Sequence, residues 1–194
     1  MNSEEPIPAR IRPFVALRLS AETIAAIAAM AAEIKTLGAD VAWVKPANFH
    51  LTLRFLGDQV DVARLDPLKA ALTEIAANTA PFTIVARGVG AFPDWRSARV
   101  VWVGLESAQL TELAAQVEDS VVRCGFERER RPYTAHLTIG RVRGFRGWRQ
   151  AARALKDWAE HDFGTSQIES MTLYRSVLSS GGSRYEALAE LRFG

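Results

Sequence analysis

One tetrapeptide occurs twice in this 194-residue chain, as His50-Leu51-Thr52-Leu53 and as His136-Leu137-Thr138-Ile139. Of the three histidines, two open this motif, 86 residues apart. Each copy alternates polar and apolar residues, the pattern of a strand whose side chains point to opposite faces in turn. His and Thr then share one face. Leu51, Leu53, Leu137 and Ile139 turn to the other, into a core. The fold must therefore anchor two equivalent strands, each presenting an imidazole and a hydroxyl to a single cleft.

The same offset extends beyond the motifs. Phe14-Val15-Ala16-Leu17 and Val100-Val101-Trp102-Val103 are strand candidates 86 residues apart. A helix is predicted after each. The first has Ser20 as N-cap, Ile24, Ile27, Ala31 and Ile34 at helical spacing, and Gly38 as its stop. The second has Ser107, then Leu110, Leu113, Val117 and Val121, and ends at Gly125. Pro46 and Pro132 each stand four residues before a motif histidine. Another helix follows each motif, one capped by Asp66-Pro67 and running to about Asn78, the other over roughly 148–159. Strands are expected near 82–87 and 168–174, and loops over 90–97 and 179–183, with Gly88-Val89-Gly90 as a turn too short for a phosphate-binding loop. The chain therefore reads as an internal duplication: strand, helix, motif strand, helix, strand, twice. Two copies of so long a unit do not make a solenoid. We expect a single domain over residues 1–194, made of two pseudo-symmetric lobes.

Charge is unevenly spread. Residues 123–156 hold ten Arg or Lys and two acids, Glu127 and Glu129, whereas the whole chain carries only +2. This basic stretch, Arg131 included, surrounds His136, and a local basic field favours a polyanionic ligand. At 48% hydrophobic and 24% charged residues the chain has a globular composition, and no apolar run reaches the roughly 20 residues of a membrane span. The acidic start Met-Asn-Ser-Glu-Glu-Pro does not resemble a signal peptide, and the single Cys124 cannot form an internal disulfide. A cytoplasmic monomer without membrane contact is expected.

Two histidines flanking one phosphate can serve as base and acid for in-line displacement. An unperturbed pKa of about 6.5 lets either form exist near neutrality, and each role is typically worth about 10²–10⁴-fold. A threonine two residues on can donate to a nonbridging oxygen, where charge builds in the transition state, and a nearby arginine adds a donor fork. This scheme needs no metal and no cofactor. A zinc reading has two imidazoles but lacks a recognisable third ligand motif. His161 has no motif around it and reads as a surface residue.

These residues resemble the 2H phosphoesterase superfamily, and within it the bacterial RNA 2′,3′-cyclic phosphodiesterases, also called the 2′-5′ RNA ligase family. Beyond the two tetrapeptides, the similar stretches are Phe14-Val15-Ala16-Leu17, Trp43-Val44-Lys45-Pro46, the run from Asn48 to Gly57, Gly125-Phe126, the run from Arg131 to Arg141, and Leu173-Tyr174-Arg175-Ser176. Ala135 stands where the family commonly has proline. The resemblance implies an α+β fold, bilobal by pseudo-two-fold duplication, with two antiparallel sheets lining a central cleft and helices outside. It implies hydrolysis of an RNA or nucleotide 2′,3′-cyclic phosphate end to a 2′-phosphate. His50 would protonate the leaving 3′-oxygen, His136 would activate water, and Thr52 and Thr138 would hold nonbridging oxygens. Arg141 and Arg131 would bind substrate. Tyr133 either stacks on a nucleobase or packs. Ligation through a 2′-5′ linkage, a small cyclic-phosphate substrate, and a non-catalytic nucleotide- or RNA-binding module are the alternatives.

Overall fold

The computed structural model describes residues 7–179 and 182–194. The acidic N-terminal hexapeptide lies outside the described residues, as does the centre of the expected 179–183 loop. In chain order the elements are β1 (Arg10–Ile11), β2 (Pro13–Leu17), α1 (Ala21–Lys35), β3 (Val41–Trp43), β4 (Leu51–Phe55), β5 (Val60–Asp61), α2 (Leu65–Ala77), β6 (Phe82–Phe92), β7 (Val100–Glu106), α3 (Ala108–Arg123), β8 (His136–Val142), α4 (Trp148–Lys156), β9 (Asp162–Ile168), β10 (Ser170–Ser179) and β11 (Gly182–Arg192).

The local signals mostly act where the sequence put them. Ser20 caps α1 by accepting a hydrogen bond from the Thr23 backbone N–H at 3.2 Å, an interaction worth about 1 kcal/mol. Gly125, at φ +81°, ends α3 in the left-handed conformation, with Gly125 N–H donating to Val122 O and Phe126 N–H to Val121 O. Other expectations are corrected. Ser107 stands at the N-cap of α3, but its hydroxyl donates to Gln109 Oε1 instead of capping the helix. α2 begins at Leu65, ahead of Asp66-Pro67, because a short 3₁₀ turn capped by Asp61 feeds straight into it. Gly88-Val89-Gly90 is not a turn. It lies inside the 11-residue β6, where Gly88 at φ +71° is the extra residue of a bulge against β7, while the irregularity against β9 falls at Ala86. The strand expected over 168–174 is the end of β9, a break at Glu169 and the start of β10.

The sheet runs β11-β10-β2-β4-β8-β7-β6-β9, with β3 added beside β8. Two antiparallel halves, β11-β10-β2-β4 and β8-β7-β6-β9, meet at one paired position, Leu51 opposite Leu137. Both leucines are fully buried in one large core. The two lobes are not the two halves of the sequence. The third strand of the first repeat, β6, pairs with β7 of the second, and β10 of the second repeat pairs with β2 of the first. Helices cross over in the same way. α1 packs on β9, β3 and α4, whereas α2 and α3 pack together behind β4, β10 and β11. Each lobe is therefore completed by the other repeat, and neither half of the chain can close its own core.

Candidate active site

The junction of the two lobes is also where the motifs lie. Leu51 and Leu137 are antiparallel partners, and continuing that register one step each way sets His50 alongside Thr138 and Thr52 alongside His136. The leucines point into the core, so by alternation all four polar side chains emerge on the opposite face. Each of the four is half-buried.

The two imidazoles are held alike. His50 Nδ1 lies 2.8 Å from Asn48 O, and His136 Nδ1 lies 2.7 Å from Thr134 O. A carbonyl only accepts, so Nδ1 donates in each case and Nε2 is left for chemistry. Each carbonyl belongs to the residue two positions before its histidine. Asn48 is itself tied across the fold, its side-chain amide donating to Ser183 O at 2.7 Å. Aromatic rings flank both imidazoles. Phe14 and Tyr185 each lie 5.0 Å from His50, and Phe92 lies 5.1 Å from His136, edge to face.

The two sides differ electrostatically. His50 has its pKa lowered, chiefly by burial. The Asn48 hydrogen bond opposes this, and repulsion from Arg18 and then from His136 adds to it. Arg18 and Asn48 join Phe14, Phe49, Tyr174 and Tyr185 around a small recess of about 40 Å³ beside His50. Phe14, Ala16 and Tyr174, with Tyr185 against them, form a small apolar cluster separate from the main core.

A bulge repeated in both lobes decides where the neighbouring arginines point. Across β2 and β4, Ala16 faces Thr52 but Val15 faces Arg54, so Leu53 is the extra residue. Across β7 and β8, Trp102 faces Thr138 but Val101 faces Gly140, so Ile139 is extra. Plain alternation would put Arg54 beside His50 and Thr52. The bulge turns it to the helix side, opposite the buried Val15. The same shift carries Arg141 to the cleft face opposite Val100, where it is exposed. Phe55 is its counterpart in the first lobe.

The other substrate-binding expectations fare differently. Tyr133 is half-buried against the core, and its hydroxyl is enclosed without a hydrogen-bond partner, which pushes its pKa up. Of the two readings of this residue, packing is the one the structure supports. Arg131 makes a two-point contact with Glu129, at 3.2 Å and 3.1 Å, and that carboxylate is held down to about 2 by this arginine and the local backbone N–H groups. His161 is exposed, as expected, and lies against Trp158 and Phe163. Sequence reasoning missed Arg18, Tyr185, Phe92 and the two orienting carbonyls. None of them carries a motif, and β11 and the end of β6 reach the site only through long-range pairing. Among the described residues, no group of three or more His, Cys, Asp or Glu is placed to hold a metal ion, and no helix is long and apolar enough to cross a membrane.

Comparison with known proteins gives a consistent result. The family described as LigT like Phosphoesterase matches the chain twice, over residues 17–102 and 103–185, a division that repeats the duplication. The RNA 2′,3′-cyclic phosphodiesterase of Methanothermobacter thermautotrophicus is 31% identical over 184 residues, covering 94% of this chain and 99% of its own length. That of Archaeoglobus fulgidus is 37% identical over 146 residues, 75% of this chain and 80% of its own. Escherichia coli LigT, solved in complex with ATP, superposes with a TM-score of 0.74 at 26% identity, over 95% of this chain and 98% of its own.

Proposed function

Since the chain belongs to the LigT-like phosphoesterase family, we propose that it hydrolyses RNA 2′,3′-cyclic phosphate ends to 2′-phosphates with a two-histidine acid–base pair and without a metal. The supporting observation is the quartet at the lobe junction: two imidazoles, both with Nε2 free, and two threonine hydroxyls on one face of the sheet. The relatives named RNA 2′,3′-cyclic phosphodiesterase supply the substrate class, and a nucleotide bound to LigT fits the same reading.

In the proposed reaction the cyclic phosphate enters between the imidazoles. Neutral His136 takes a proton from water through Nε2 as the water oxygen bonds to phosphorus. The bond from phosphorus to the 3′-oxygen breaks, and His50 delivers its Nε2 proton to that oxygen. The products are a 2′-phosphate and a 3′-hydroxyl. Thr52 and Thr138 donate to the nonbridging oxygens, where charge develops, and Arg141 adds a fixed positive fork from the cleft face. Burial biases His50 toward its neutral form before substrate binds. A phosphate anion beside it offsets the repulsion from Arg18 and His136, so its pKa rises on binding and the acid form is produced when needed. With an RNA 5′-hydroxyl in place of water, the same steps leave a 2′-5′ linkage.

The test is incubation with an oligonucleotide ending in a 2′,3′-cyclic phosphate, in excess EDTA, followed by identification of the product. A 2′-phosphate end is expected. A 3′-phosphate product would reverse the leaving-group assignment, and loss of activity in EDTA with recovery on added zinc would overturn the metal-free mechanism.

A further inference from the structure

Arg54 follows the first motif but never reaches the cleft. The bulge at Leu53 sends its side chain to the helix side of β4, where each guanidinium nitrogen meets a different group. Nε lies 2.5 Å from Glu118 Oε2 of α3 in a largely buried ion contact, with side-chain exposures of 12% and 16%. One terminal nitrogen donates to Phe55 O at 2.5 Å, and the other donates to the carbonyl of Glu127. Glu118 continues the chain of contacts, because its second oxygen accepts from the Glu129 backbone N–H at 2.8 Å. Glu129 then accepts from the backbone N–H groups of Arg130 and Arg131. The neighbouring Arg128 reaches back to Asp119 of α3 at 2.8 Å.

These contacts fix the segment leading into the second motif. Tyr133 packs against the core, Thr134 O accepts from His136 Nδ1, and Ala135 O accepts from Leu105 N–H. Arg54 lies two residues after Thr52 on the first motif strand. A single guanidinium thus links the strand carrying Thr52 to the segment that orients His136. Nothing at the equivalent position of the second lobe does this, since Gly140 stands there.

We propose that Arg54 is a positioning residue: from the back of the sheet it holds residues 127–131 and, through them, the Thr134 carbonyl that keeps His136 in its Nδ1–H form. Misplacing a catalytic group by about 1 Å can cost roughly 10²-fold in rate. The inference rests on the phosphodiesterase reading for its kinetic part only.

The experiment compares wild type, Arg54→Ala, Arg54→Lys and Glu118→Gln, using a 2′,3′-cyclic mononucleotide and ¹⁵N NMR of the imidazoles. Arg54→Ala should lower kcat about 10- to 100-fold with KM little changed. His136 should shift from the Nδ1–H form toward a mixture of tautomers, while the His50 tautomer stays as in wild type. Arg54→Lys keeps the charge but cannot hold both carbonyls and Glu118 together, so it should fall between wild type and alanine. It also serves as the test if Arg54→Ala does not fold. Glu118→Gln should move His136 in the same direction. A folded Arg54 variant with wild-type kcat and an unchanged His136 tautomer overturns the proposal. If wild type hydrolyses no cyclic phosphate, the functional reading fails, and the tautomer measurement still decides the role of Arg54.

Discussion

The His50 and His136 sides of the cleft begin from the same tetrapeptide and diverge within a few residues. Both histidines are oriented by a carbonyl two residues back, both are flanked by aromatic rings, and both strands carry the same bulge. After the bulge the first lobe places Arg54 behind the sheet and Phe55 in front. The second places Gly140 behind and Arg141 in front. A Cβ on Gly140 would lie 2.7 Å from Val41 Cγ1, so glycine there admits β3 alongside β8. Duplication preserved the backbone, and substitution at two bulge-controlled positions put an arginine at the front of the second motif strand where the first has a phenylalanine. Symmetric scaffolding and asymmetric chemistry are compatible because the bulge sets directions, whatever residues occupy them.

The comparison can be broken most severely at the histidines. His50→Ala and His136→Ala should each reduce kcat by about 10²–10⁴-fold, the usual worth of a general acid or base. The fold should be retained, because both side chains are half-buried at the cleft face. Steady-state kinetics with a far-UV circular dichroism control would check this, and full activity in either variant would remove that residue from the acid–base pair.

Thr52→Ala and Thr138→Ala should cost less, on the order of 10²-fold in kcat for one lost donor to developing charge. Similar losses on the two sides would show that the threonines act as symmetry mates. A loss confined to Thr138 would assign the oxyanion work to the second lobe alone.

Arg141→Phe makes the second lobe copy the first. Removing a charge-assisted contact worth roughly 1.5–3 kcal/mol should raise KM for a cyclic nucleotide about tenfold or more. Phe55→Arg makes the converse change. It should leave Arg141-dependent binding in place and steepen the salt dependence of RNA affinity. An unaffected KM in Arg141→Phe would mean that this arginine does not touch the phosphate.

The smallest effect concerns His50 protonation. Its pKa is lowered first by burial and then by Arg18 and His136. Arg18→Ala should therefore raise it, and His136→Asn should raise it by less. Neither should restore the ordinary value of about 6.5, because burial remains. An imidazole NMR titration measures this directly. The sign carries over to stability. The unfolded chain binds this proton more readily than the folded one, so His50 costs no stability well above about pH 6.5. Its contribution becomes unfavourable as pH falls from there toward the lowered folded value. Acid unfolding of His50→Ala should be correspondingly less steep.

Much of the site was legible in the sequence because its determinants are local. Alternation within His50-Leu51-Thr52-Leu53 assigns two side chains to the cleft and two to the core whatever lies around them, and the 86-residue offset identifies the partner strand. The caps at Ser20 and Gly125 act within one helical turn. Other positions depend on pairing and packing that no local pattern announces. Arg131 forms an exposed ion pair with Glu129. Tyr133 has the composition of a stacking residue but packs against the core. The 88–90 stretch has the glycines of a turn, yet Val89 and Gly90 pair with β7 and continue the strand past the Gly88 bulge, and a Cβ on Gly90 would strike the Trp102 ring.

By itself the sequence determined that there are two equivalent strands, that each offers an imidazole and a hydroxyl, and that both belong to one duplicated architecture. These follow from side-chain periodicity, which needs only the chain's own geometry. The tertiary structure decided that the lobes exchange strands and helices between the repeats, that Leu51 meets Leu137, and that one extra residue in each motif strand sends Arg54 away from the cleft and Arg141 into it. Those outcomes depend on register, set by long-range hydrogen bonding between strands far apart in the chain, and one step of register reverses the face on which a side chain appears.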